Sequence, residues 1–89
     1  MTILDHRPRQ TYAPRLPRRH EIVTTGGLDG ILQVSGILAG HRVREFVADV
    51  REGVMYSTVT CTVALTDDEC RHLVDRLAAA PWVTSVSPC

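Results

Sequence analysis

The chain has no lysine and no asparagine, only one tryptophan and one phenylalanine, and no Cys-x-x-Cys pair. Each absence removes a class of function. A soft-metal carrier needs paired thiolates, and Cys61, Cys70 and Cys89 are odd in number and widely spaced. They read as reduced thiols, with Cys61 and Cys70 as small core residues and Cys89 free to react. His6, His20, His41 and His72 likewise show no ligand spacing, so no metal site is expected. The shortage of aromatics leaves little with which to stack on bases. No apolar run approaches the roughly 18 residues of a membrane span. The start of the chain lacks the apolar middle region of a secretory signal, so the expected location is cytoplasmic, away from membranes.

A formal net charge of zero argues against a strongly charged nucleic-acid binder, but it conceals an asymmetry. Residues 1–20 carry Arg7, Arg9, Arg15, Arg18 and Arg19 against Asp5 alone, whereas the remainder carries five arginines against nine acids. Pro8, Pro14 and Pro17 each push the preceding residue out of helical space and remove a backbone donor. Residues 1–19 are therefore expected to form a disordered basic tail, and residues 20–89 the folded domain. At 89 residues the chain has room for one small core, which buries roughly 60% of the surface its unfolded form exposes, so self-association would help it.

From His20 onward the hydrophobic period alternates between two and about 3.6 residues. Glu21–Thr25 reads as a short strand ended by Gly26 and Gly27. Ile31, Val34, Ile37 and Leu38 follow at helical spacing, with Asp29 as a candidate N-cap and Gly40 as the stop. Val43–Val50 reads as a half-buried strand in which Phe46, Ala48 and Val50 share a parity that Arg44 breaks. Val54–Leu65 alternates Val59, Cys61, Val63 and Leu65 against Thr58, Thr60 and Thr62, one face apolar and the other a threonine ladder. Thr66-Asp67-Asp68-Glu69 is a capping box opening a second helix with Cys70, Leu73, Val74 and Leu77 on its apolar stripe, an Asp67–Arg71 pair, and Pro81 as its terminator. Trp82 to Ser87 is a last strand.

The order β-α-β-β-α-β predicts an α+β, ferredoxin-like plan: a four-stranded antiparallel sheet with two helices on one face. That plan serves many functions. An acylphosphatase-like use would need a loop arginine and a sheet asparagine, and the chain offers neither.

The segment Leu28-Asp29-Gly30-Ile31-Leu32-Gln33-Val34-Ser35-Gly36-Ile37-Leu38 resembles the "(E/D)xPGVLxRVSGLF" stretch that opens the first helix of ACT domains, especially those of acetolactate synthase small subunits. Gly40-His41-Arg42-Val43-Arg44-Glu45-Phe46 resembles the "GxNIxxL" start of the family's second strand, and Leu73–Val86 resembles its "LxxQLxKLxxVxxV" ending. The chain departs from the pattern in lacking the loop proline and in placing Arg42 where the family has asparagine. The resemblance implies a noncatalytic regulatory subunit, dimeric, carrying no cofactor of its own. It also implies a large catalytic subunit as partner, with thiamine diphosphate held there, and an amino-acid effector such as valine. The implied ligand residues are Gly26, Gly27, Leu28, Asp29, Gly30 and Ile31 at the turn, with Arg42 and Val43 from a second copy. Physically, a glycine turn admits close approach to the backbone, free helix amides attract a carboxylate, and Asp29 suits an ammonium group. An alternative from the residues alone is a standalone protein- or RNA-interaction module using the arginine tail and the threonine face.

Overall fold

The computed structural model describes residues 13–89. Six elements follow in order: β1 (Leu16–Thr24), α1 (Leu28–Leu38), β2 (Arg42–Asp49), β3 (Ser57–Leu65), α2 (Asp67–Ala79) and β4 (Val83–Val86). The strands form one antiparallel sheet in the order β2-β3-β1-β4, the arrangement of a ferredoxin-like α+β domain.

One face of the sheet carries the core. Alternation along β3 sends Val59, Cys61, Val63 and Leu65 inward, and the register of β1 places Ile22 opposite Val59 and His20 opposite Cys61 on that same face. Ile31, Val34 and Leu38 of α1 and Cys70, Leu73 and Leu77 of α2 close over them in one cluster. Thr58 and the rest of the threonine ladder face the other way, where no described helix lies over them.

The first strand begins earlier than the prolines imply. Leu16–Arg19 pair with β3 from Leu65 to Thr62, so the boundary expected after residue 19 falls inside a strand. Pro17 is tolerated because β4 pairs with β1 only over Ile22–Thr24, so a missing donor at residue 17 costs no second ladder. Just ahead of the strand, Arg15 grips the Glu69 carboxylate through Nε at 3.0 Å and Nη2 at 2.9 Å, fastening residue 15 to the start of α2. The part of the expected tail formed by residues 1–12 lies outside the described residues.

Three further expectations change. Strand β2 is exposed at every residue rather than half-buried: only the end of α1, at Ser35 and Leu38, borders it, beside Val43 and Phe46. Its register shifts between Val43 and Glu45, which makes Arg44 the extra residue of a bulge and accounts for its broken parity. Val54–Tyr56 belong to the exposed β2–β3 connection rather than to β3. The cysteines are not all reduced: Cys70 is bonded to Cys89, and Cys61 alone is a free, buried thiol among the described residues.

Helix α2 starts as its sequence dictates. Thr66 Oγ1 accepts from Glu69 N at 3.1 Å while Glu69 Oε1 accepts from Thr66 N at 2.9 Å. The expected Asp67–Arg71 pair is replaced by two others: Asp67 takes Arg18 at 2.7 Å, and Arg71 turns to Asp68. Among the described residues no helix is long and apolar enough to cross a membrane.

Candidate functional site

The turn between β1 and α1 is built on two glycines with positive φ, Gly26 at 83° and Gly27 at 58°. Gly27, not Asp29, stands at the N-cap of α1, and no side chain caps that end. Asp29 N donates to Gly26 O at 3.2 Å and Ile31 N to Gly27 O at 3.3 Å, so two amides at the helix start are already engaged.

Each glycine has its own reason. A Cβ at residue 26 would lie 2.0 Å from Cε3 of Trp82, so the indole fills the space that a side chain would need. Trp82 is held there by its backbone: its carbonyl accepts from Thr25 N at 2.8 Å and its amide donates to Gln33 Oε1 at 3.3 Å. A Cβ at residue 30 would lie 2.1 Å from the Thr25 carbonyl oxygen, so Gly30 permits the first turn of α1 to settle on β1. Below it, Thr24 Oγ1 is buried without a hydrogen-bond partner. Around Gly27 the space is open.

The predicted ligand residues therefore divide. Gly30 and Ile31 are buried, with Ile31 part of the core, and neither presents a side chain to a ligand. Leu28 and Asp29 are exposed at the turn beside the open flank of Gly27. Arg42 and Val43 sit at the other end of the sheet: Arg42 lies opposite Ala64, next to Leu16 and Leu65, whereas the turn follows Thr24. Eight strand residues at roughly 3.3 Å each put the two groups about 25 Å apart in one chain.

Arg42 has company that the sequence reading missed. It lines a cleft of about 360 Å³ with Ala13, Arg15, Arg44 and Ala64, and a smaller one of about 160 Å³ with Gly40, His41 and Glu69. Hydrogen bonds from Arg15 and then from the Thr66 backbone hold the Glu69 carboxyl down to about 2, so it stays ionised as the counter-charge to Arg15. Arg42 and Arg44 have no ion-pair partner among the described residues. The pair Arg42 and Arg44 is visible in the sequence as an Arg-x-Arg break in the strand pattern. Arg15 was hidden inside a stretch that reads as tail. Beyond His41, a third cleft of about 320 Å³ is lined by Asp68, Glu69, His72, Leu73 and Arg76. Among the described residues no three His, Cys, Asp or Glu side chains converge as a metal site.

The fold and these sites define a small ferredoxin-like α+β domain with a glycine turn at one end and a basic cleft at the other. No family model matches the chain, and neither does any curated protein or solved structure.

Proposed function

We propose that the chain is a noncatalytic regulatory subunit whose ACT-like domain works as a homodimer joined along β2. In this reading it binds a small amino acid such as valine between the glycine turn of one copy and Arg42 of the other. The observation that carries the reading is the state of β2: an edge strand exposed at every residue, with Val43, Phe46 and Val47 on it. An exposed apolar edge is a template for pairing. Two β2 strands laid antiparallel would bring the Arg42 end of one copy to the Asp49 end of the other, the end where the glycine turn lies. The separation of about 25 Å within one chain is then bridged by symmetry. The turn offers the carboxylate and ammonium groups of an amino acid the open flank of Gly27 and the exposed Asp29, and Arg42 adds a cation.

By the resemblance, the target is the large catalytic subunit of an acetolactate synthase, which would hold the thiamine diphosphate. The regulatory chain contributes a population shift, because the effector binds one state of the complex better than the other. Calorimetric titration with valine, leucine and isoleucine, alone and with that catalytic subunit, tests the sensor. Heat from at least one of the three is expected, and none from any of them removes it. Co-purification with the catalytic subunit tests the partner separately.

The unpaired Arg42 and Arg44 beside the uncovered threonine face favour a second reading, a module that binds RNA phosphates. Salt-sensitive RNA binding lost on replacing both arginines by alanine would select it.

A further inference from the structure

The end of the chain is fastened beside a buried histidine, His20. Beyond β4, Ser87 N donates to Glu21 O at 3.0 Å and Glu21 N donates back to Ser87 Oγ at 3.0 Å, so the last residues run along β1. Cys89 then closes onto Cys70 of α2. The two sulfurs belong to unlike residues: Cys70 is fully buried, while Cys89 is exposed. His20, 1% exposed, places Nε2 at 3.8 Å from Cys70 Sγ, and its Nδ1 has no hydrogen-bond partner. A buried imidazole with so little satisfaction is costly, and an apolar side chain would fill the position more cheaply. Directly across the strand pair lies Cys61, the free thiol, opposite His20 in register.

We propose that the Cys70–Cys89 bond is a site of reversible thiol–disulfide exchange with a small thiol such as glutathione, attacked at Cys89 and leaving at Cys70 beside His20. Access decides the direction. The thiolate of the small thiol approaches from solvent at Cys89, the exposed residue of the pair, forms a bond to Cys89 Sγ, and breaks the Cys70–Cys89 bond. The electron pair passes to Cys70 Sγ, where His20 Nε2 is the adjacent polar atom and, carrying its proton, donates to the new thiolate. Solvent then supplies the proton that makes Cys70 a thiol. A second small thiol attacks its own kind in the mixed disulfide, releasing Cys89 as thiolate and then thiol. Two small thiols thus become one small-molecule disulfide as the protein takes up two electrons and two protons. Cys61 stays out of the exchange, because burial pushes its thiol up and away from the reactive thiolate form. The proposal is independent of whether the glycine turn holds an amino acid.

The test uses the full chain, folded and without denaturant, incubated with glutathione, trapped with iodoacetamide and mapped by peptide mass spectrometry. Before reduction no cysteine is expected to alkylate. During reduction a glutathione adduct appears on Cys89 and not on Cys70, and afterwards Cys89 alkylates while Cys61 does not. His20→Leu is expected to slow reduction by about tenfold or more, and His20→Gln, which retains an N–H donor, to restore much of the rate. Protection of Cys61 in each variant reports that the fold is intact. Alkylation of Cys89 without reductant overturns the proposal. So does an adduct on Cys70, reduction only after unfolding, or equal rates in wild type and both His20 variants.

Discussion

Trp82 stands where a side chain at residue 26 would have to go, with its Cε3 and Cζ3 atoms 2.0 and 2.1 Å from the position of a Cβ there. The contact ties the start of β4 to the turn between β1 and α1, so that the last strand and the candidate ligand turn are set against one another.

Gly26→Ala is accordingly expected to destabilise the domain beyond the about 1–2 kcal/mol that positive φ alone costs an L residue, because the indole must also move. Gly27→Ala meets open space but carries a steeper backbone penalty, since Gly27 combines φ 58° with ψ −130°, outside the left-handed region that L residues visit. The share of Trp82 is read by urea denaturation of Gly26→Ala in wild type and in Trp82→Ala: the alanine should cost less once the indole is gone, and an unchanged cost would show that Trp82 does not pack on the turn.

Stability should fall on mild acidification through His20. Burial pushes its imidazole below the ordinary value, the Ser87 backbone offsets part of this, and the Arg18 charge adds to it. The folded state therefore prefers the neutral ring, and the contribution is fully present above the unfolded value of roughly 6.5. Below that the unfolded chain binds the extra proton, and stability declines by at most about 1.4 kcal/mol per pH unit. Chemical denaturation between pH 7.5 and 5 should show this slope in wild type and a flatter one in His20→Leu.

The bond between Cys70 and Cys89 closes a loop of sequence separation 19. Chain-entropy arguments put the stabilisation from such a closure at about 3 kcal/mol. Cys89→Ser should lower the melting temperature by as much as a reducing agent lowers that of wild type, and reductant should then have no further effect on the variant. A melting temperature indifferent to both changes would mean that the closure contributes nothing to stability.

Joining along β2 makes a direct prediction for self-association. Phe46→Glu and Val47→Lys place charges on opposite faces of the edge strand, since their register partners Cys61 and Thr60 lie on opposite faces of β3. Sedimentation should show wild type as a dimer at micromolar concentration, with each variant shifted toward monomer. A monomeric wild type at every concentration rejects the dimer reading.

Much of this fold was legible because its signals are local. The capping box at Thr66 and Glu69 satisfies amides three residues apart, and the alternation from Val59 to Leu65 follows from a strand buried on one face only. The rest depends on distant neighbours. Alternation in β2 tells which side chains share a face but not whether a helix covers that face. Pro17 signals a break, and only the shortness of β4 makes it harmless. Cys70 and Cys89 meet because the last residues run back along β1, a path no spacing rule describes. At the candidate site the turn was readable from its glycines, whereas the crowding by Trp82 and the placing of Arg15 beside Arg42 arise from tertiary packing.

The brevity of β4 leaves β1 with a ladder on one side only from Leu16 to His20 among the described residues. Such a margin invites stray strands, and unchecked it would seed fibrous growth between molecules. Pro17 withholds a donor there and the exposed Arg19, which has no ion-pair partner among the described residues, sets a charge against a second copy, so residues that look like punctuation of a tail blunt the open margin of the strand.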